Sequence, residues 1–379
     1  MNYKDSIGIS ILAGILSTMI FVFLFLCADG RLPIKTLAQI AKEKEVKTEA
    51  SGDAGGYFAP LEDEDDDGLT FKLPLADDLT QDAVEVSMDY VTRTMSISIE
   101  DATASDMSAH PLSGSSTHID DMVFEGDDNY MYYEITFDDY YDYIVAVEDG
   151  DYCIKLTDPH ELYDYVVVVD PGHGGEDSPG TVWNGVIESE ITLDIGNAIM
   201  EYKDELAEQY GIGLYTTRTK DIYTYLSGRV DMANGMDADL FISIHCNSAS
   251  GTWTDNSISG VEGLYNEEDK SGKSYALAAL LSEYVSNAVN ARDRGAAKGN
   301  SVRIIRDAKV PVALCEVGFM SNTYELNMMQ SEEYQKKLAR GFCDAILYAY
   351  SNGLEAYLPD ESGDAGEASE ELVDTENEE

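Results

Sequence analysis

The spacing of hydrophobic and polar positions changes character four times along the chain. From Ile7 to Cys27, IGISILAGILSTMIFVFLFLC is apolar without a charged residue, over a length that crosses a bilayer as one helix. Residues 28–68 have no apolar period and end in the acidic block EDEDDDG, which predicts an extended, disordered linker. Residues 69–160 alternate instead: VEVSM at 84–88, MSISI at 95–99 and YEITF at 133–137 predict strands, and Asp149-Gly150 inside YIVAVEDGDYCIKL predicts a hairpin. Together they predict a small all-β domain, a sandwich. Tyrosine crowds its second half, in YMYY and DDYYDYIV, where cross-strand pairing accounts for it more simply than a stacking surface for sugar rings.

After Tyr165, strands and helices alternate. VVVV (166–169), GLYTT (213–217), LFISIH (240–245), VEGLY (261–265), VRIIR (302–306) and VALCE (312–316) read as strands. Helical periods near 190–209, 223–236, 273–290 and 331–352 lie between or after them. Residues 161–352 are therefore expected to form an α/β domain, a mostly parallel mixed sheet flanked by helices. The tail 353–379 carries eleven acidic and no basic residues from Glu355 onward, and is expected to be disordered.

Composition narrows the partners. A hydrophobic fraction of 44% over 379 residues is that of a folding protein, while a net charge of −49 argues against nucleic acid or an anionic lipid surface as a charge-driven partner. The apolar segment 7–27, behind a short tail of residues 1–6, reads as a signal anchor because no small-residue cleavage site follows it. Leu26 is too bulky for a lipoprotein signal at Cys27. A single-pass membrane protein exporting everything after residue 28 is the expected topology. Five cysteines, one of them inside that segment, argue against a disulfide framework. Cys246 and Cys315 beside the candidate site residues read as small buried residues at strand ends.

The candidate chemistry sits where strands stop. VVVVDPGHGG carries His173 to the carboxyl end of a buried strand, where open α/β sheets place their sites. SIHCN brings His245 to the end of a second strand, and ALCEVGF brings Glu316 to the end of a third. Glu188 and Glu190 stand at a helix entry in GVIESEITLDI. Two imidazoles and one carboxylate are the ligand set of a catalytic zinc ion with an open fourth position, and a second carboxylate such as Glu316 can then act as acid/base. Arg218 and Arg229 read either as anchors for substrate carboxylates or as structural ion pairs, the second being no less expected in so acidic a chain.

DPGHGG, the glutamate of GVIESEITLDI, TTR at 216–218, the Arg and Ala-Asn of GRVDMANGMDADLFISIHCNS, and PVALCEVGFMSN resemble, in order and spacing, the zinc-dependent N-acetylmuramoyl-L-alanine amidases, amidase type 3, over residues 165–350. The resemblance implies one zinc ion held by His173, Glu188 and His245, with Glu316 as the catalytic residue. Leu193, five positions on, selects Glu188 over Glu190. It also implies that the substrate is peptidoglycan, cut between the lactyl group of N-acetylmuramic acid and L-alanine, by a catalytic domain facing the cell wall. A zinc peptidase cutting within the stem peptide and a non-catalytic wall-binding module remain the alternatives. The glycines around His173 are expected to leave room for a passing glycan strand. Some relatives carry an inhibitory helix between the last two motifs. Here the 71 positions from His245 to Glu316 hold a strand, one helix, the basic loop ARDRGAAKGNSVR and another strand, so residues 160–352 are expected to need no activator protein.

Overall fold

The computed structural model describes residues 58–60, 69–74, 81–103, 109–115, 117–126, 130–148, 150–249 and 254–359. The apolar segment 7–27, nearly all of the linker, and the tail beyond residue 359 lie outside these. No helix among the described residues is long and apolar enough to cross a membrane.

The chain divides into two compact units, one of Met1–Met88, Thr94–Asp138 and Val145–Lys155, the other of Asp89–Arg93, Asp139–Ile144 and Leu156–Glu379. The first is built from β1 (Phe58–Pro60), β2 (Thr70–Pro74), β3 (Val84–Asp89), β4 (Thr94–Glu100), β5 (Leu112–Gly114), β6 (Ile119–Gly126), β7 (Tyr130–Phe137), β8 (Asp142–Glu148) and β9 (Asp151–Thr157), except that Asp89, Asp142–Ile144 and Leu156–Thr157 group with the second. They form two sheets, ordered β1-β5-β2-β9-β8 and β3-β4-β7-β6. Alternation explains the second sheet: Met95, Ile97 and Ile99 of β4 and Met131, Tyr133, Ile135 and Phe137 of β7 all point inward and are buried. Phe71 of β2 meets Phe137 at 5.9 Å between ring centroids, so the two sheets share a core. Tyr133 belongs to that core, whereas Tyr130 and Tyr132 face out and stack on each other at 6.4 Å. Gly150, with φ of 97°, lies between the neighbouring strands β8 and β9, where the Asp-Gly pair predicts a turn.

The second unit continues with α1 (Pro159–Leu162), β10 (Tyr165–Pro171), β11 (Val182–Trp183), β12 (Val186–Ile187), α2 (Glu188–Met200), α3 (Lys203–Tyr210), β13 (Ile212–Thr216), α4 (Leu226–Gly235), β14 (Leu240–Asn247) and β15 (Val261–Tyr265). It ends with α5 (Lys273–Val289), β16 (Asp293–Lys298), α6 (Arg303–Asp307), β17 (Val312–Phe319), α7 (Thr323–Met329) and α8 (Glu332–Asn352). Six strands make one sheet ordered β13-β10-β14-β17-β15-β16, parallel except where β15 runs against β17. The valine run of β10 is explained by burial on both faces. Val167 and Val169 join a core with Ile195, Leu277, Leu338 and Phe342 from α2, α5 and α8, while Val166 and Val168 join one with Val230, Phe241 and Ile305.

Four segments differ from expectation. Phe58–Pro60, inside the linker expected to be disordered, is the strand β1, paired in parallel with β5, a run too short to show a period. VRIIR is the helix α6, because Ile304 and Ile305 both turn into one core and a run this short carries no period that separates strand from helix. The basic loop ARDRGAAK contains β16, an edge strand whose charged residues guard an unpaired edge and disguise it as a loop. The start of the acidic tail is ordered: Leu354 is buried in the core, and Tyr357 packs on Tyr348 and donates to Glu283 Oε2 at 2.8 Å.

Gly263 of β15 lies against the backbone of α5, where a Cβ would collide with the Ala278 carbonyl oxygen. Backbone cannot rotate away as a side chain can. Gly263→Ala should therefore cost about 1–3 kcal/mol of stability, read as a lower denaturant midpoint at unchanged slope.

Candidate metal centre

β10 delivers its chain to the site between two buried arginines, Arg218 and Arg229. Asp170, fully buried at the end of β10, accepts hydrogen bonds from Thr217 Oγ1 (2.5 Å), Ser243 Oγ (2.7 Å) and Arg229 Nη1 (2.6 Å). Burial alone would raise its carboxyl, but the Arg229 charge and the two hydroxyls outweigh it and hold it below the usual range. Arg229 also donates to the carbonyls of Pro171 (2.9 Å) and His173 (2.6 Å). Arg218 donates to those of Pro171, Gly172 and Ser189, each at 2.8 Å. Burial, followed by the neighbouring Arg229 charge, pushes the Arg218 guanidinium down to about 10. Both arginines are therefore structural clamps on the loop, and neither is placed to anchor a substrate.

The clamped loop holds His173 with φ of 60°, a left-handed conformation that a non-glycine residue keeps only when its surroundings impose it. The neighbouring glycines serve the protein's own packing: a Cβ on Gly172 would strike the His245 ring, and one on Gly174 would strike the Ile222 carbonyl oxygen. Room for a glycan is thus not their reason, since the chain itself fills the space.

Glu188 is the first residue of α2, buried, and fixed through its backbone and its side chain. A two-residue hairpin between β11 and β12 turns at Asn184 (φ 52°) and Gly185 (φ 82°) and returns Thr181 to it, so that the Thr181 N–H donates to Oε2 at 2.8 Å. The Cys246 N–H donates to Oε1 at 2.9 Å. The same Oε1 lies 3.3 Å from His173 Nε2 and 3.2 Å from His245 Nδ1. Burial would raise the Glu188 carboxyl, but the two imidazoles beside it hold it well below the usual range. One ligand atom from each of His173, Glu188 and His245 lies within 4.8 Å of the others. Three nitrogens around one carboxylate oxygen exceed its two lone pairs, and the side-chain donors are of the types that bind a first-row divalent cation, so the residues fit a metal ion. His245 Nε2, buried and without a hydrogen-bond partner among the described residues, adds an orphaned polar atom to the cluster.

Glu316 of β17 is buried directly beside His245, its in-register partner on β14. On its other side the in-register partner is Glu262 of β15, which accepts from Arg294 Nε at 3.1 Å. Glu190 is exposed and stands apart from the cluster. Cys246 and Cys315 are buried free thiols pushed well above the usual range, first by burial and then by nearby carboxylates, so neither is a nucleophile. His173, Glu188 and His245 are thus brought together with Glu316 beside them. Sequence reasoning passed over Asp170, Thr217 and Ser243, and also the Asn184-Gly185 turn, although that dipeptide is itself a hairpin signal.

The profile of the N-acetylmuramoyl-L-alanine amidase family matches residues 167–348. The chain is 34% identical over 205 residues to the uncharacterized protein YqiI of Bacillus subtilis (strain 168), covering 54% of this chain and 89% of that protein. It is 33% identical over 184 residues to the sporulation-specific N-acetylmuramoyl-L-alanine amidase of the same organism, covering 48% of this chain and 67% of that one. Among solved structures, that of N-acetylmuramoyl-L-alanine amidase from Clostridium difficile 630 is 31% identical, with a TM-score of 0.45, and covers 50% of this chain and 98% of its own.

Asp170→Asn would leave the Arg229 charge uncompensated in the interior, at a cost of about 3–5 kcal/mol near neutral pH. Because the folded carboxyl lies below its unfolded value, its contribution is complete above about pH 4 and is lost as the pH falls through the folded value. The variant's unfolding free energy should accordingly show a shallower acid limb than that of the wild type.

Proposed function

Because the chain belongs to the N-acetylmuramoyl-L-alanine amidase family, we propose that its residues 161–352 are a zinc-dependent peptidoglycan hydrolase, cutting between the lactyl group of N-acetylmuramic acid and L-alanine of the stem peptide. The observation that carries this reading is the convergence of one atom each from His173, Glu188 and His245 within 4.8 Å, with Glu316 on the adjoining strand. In it, His173, Glu188 and His245 hold zinc. When bound, the ion supplies Lewis acidity, polarising the amide carbonyl and acidifying water.

The chain's own residues do the remainder. Glu316 takes a proton from the attacking water as the new C–O bond forms, then hands it to the leaving nitrogen as the C–N bond breaks, which yields a lactyl carboxylate and a free L-alanine amine. Glu188 is oriented by the Thr181 and Cys246 N–H groups, while the two imidazoles beside it keep it charged. Arg218 and Arg229 keep His173 in place through the loop carbonyls. A membrane anchor at 7–27 and a separate β domain at 69–160 complete the proposed organisation, with the hydrolase facing the cell wall and needing no activator.

Digestion of purified peptidoglycan tests the reaction, with free lactyl groups and new L-alanine amines as the expected products. Cut stem peptides would move the reading to a peptidase, and intact material to a wall-binding module. Glu316→Gln should keep one zinc per chain while turnover falls by about 10²-fold or more. His245→Ala should lose metal and turnover together, because two remaining ligands bind zinc weakly. Zinc analysis alongside the activity assay separates the two outcomes, and full occupancy in His245→Ala would remove that residue from the ligand set.

A further inference from the structure

If the chain is an amidase, its substrate has two unlike halves. The scissile amide joins a sugar chain with broad C–H faces to a peptide bearing carboxylates, and these must diverge from the metal cluster. The strands carrying His245 and Glu316, with β10 leading to His173, occupy the middle of the sheet order β13-β10-β14-β17-β15-β16. β13 is parallel to β10, so the segment after Thr216 leaves from the edge that carries His173. β15 opposes β17 and β16 follows β15, so the start of β16 returns to this edge at the opposite end.

The two ends differ in chemistry. Beside the His173 loop, Ile222, Tyr223 and Tyr225 are 48%, 45% and 70% exposed, and the two tyrosine rings meet edge to face at 5.0 Å. Their backbone is fixed to that loop. The Ile222 carbonyl fills the space left by Gly174, and the Gly175 N–H donates to Asp221 Oδ1 at 2.9 Å. Arg218 donates to the Lys220 carbonyl at 3.3 Å and Arg229 to the Thr224 carbonyl at 3.1 Å. An exposed apolar cluster on a rigid backbone marks a binding surface, because its rings lose little freedom when a ligand covers them. At the other end stands Arg292, an exposed cation in a chain of net charge −49, beside Arg294, whose guanidinium lies 5.1 Å from the Phe319 ring centroid and is paired with Glu262 at 3.1 Å.

We infer that Ile222, Tyr223 and Tyr225 form a glycan subsite, on which sugar rings of the strand stack by their C–H faces, while the peptide departs across Glu316 toward the exposed Arg292. The inference rests on the amidase reading for its choice of ligand, yet its first test needs no catalysis.

Peptide-free glycan strands of alternating N-acetylglucosamine and N-acetylmuramic acid are the probe, and the full chain is the protein. The doubly substituted variant Tyr223→Ala with Tyr225→Ala should bind them about tenfold more weakly than wild type. The corresponding pair of Tyr→Phe substitutions, which keeps the ring faces, should bind as wild type does. Melting temperature and metal content, equal in all three proteins, report that the fold is intact. In amide cleavage of long glycan strands, the alanine pair should raise KM by a similar factor at nearly constant kcat, and raise it less on a single muramoyl peptide. Equal glycan affinity in the alanine pair and the wild type would overturn the subsite, as would an equal loss in the phenylalanine pair, which would assign binding to the hydroxyls. Tyrosine-dependent glycan binding by a wild-type protein that leaves the amide intact would strike the hydrolase reading while upholding the subsite.

Discussion

The ion pair between Asp170 and Arg229 is the constraint on which the candidate site hangs. A carboxylate and a guanidinium in a fully apolar interior are costly unless every remaining donor and acceptor is used. Here the surplus donors of Arg229 go to the carbonyls of Pro171 and His173, and the surplus acceptors of Asp170 go to Thr217 and Ser243. The pair thereby ties the end of β10, the residue after β13 and the middle of β14 to one loop. Arg218 satisfies the next carbonyl, that of Gly172, together with Thr192 Oγ1 at 2.8 Å. A loop with so little side-chain packing of its own is held by its backbone oxygens, and the strained φ of His173 is stable because both of its neighbours in the network are immovable.

The candidate metal cluster inherits this rigidity. His245 packs its ring on Gly172, and Glu188 receives the N–H of Cys246, the residue next to His245. Two of the three proposed ligands, His245 and Glu188, are therefore oriented by a group that belongs to another ligand's segment, so that loosening one loosens its neighbour. The buried thiols of Cys246 and Cys315 fit here as small residues that fill strand ends, with burial keeping them protonated and inert.

Much of this was legible in the sequence because it is local or periodic. The valine run, the alternating strands, the helix near 273–290 and the histidines and glutamates at strand ends are each readable from a few consecutive residues. What escaped was set by distance in sequence. Arg218 and Arg229 carry no local mark separating a carbonyl clamp from a surface charge, since the oxygens of the β10 end and the His173 loop that they hold lie 46 to 59 positions away. VRIIR is a helix where a strand was expected because a five-residue run has no decisive period, and ARDRGAAK holds a strand where a loop was expected because an edge strand is written in the polar vocabulary of a loop. The Asn184-Gly185 turn was readable and was eclipsed by the Asp149-Gly150 pair elsewhere.

The parallel pairing of β10 with β14 has a consequence for when the cluster can exist. Parallel neighbours need a long crossover, and here α2, α3, β13 and α4 all lie between the two strands. Loop-closure entropy must be met before such contacts reward it, so this pairing is an intrinsically late event in folding. His173 and His245 come within reach of the same carboxylate only once it is complete. A nascent or unfolded chain thus carries all three side chains of the candidate metal centre without the arrangement that could chelate an ion.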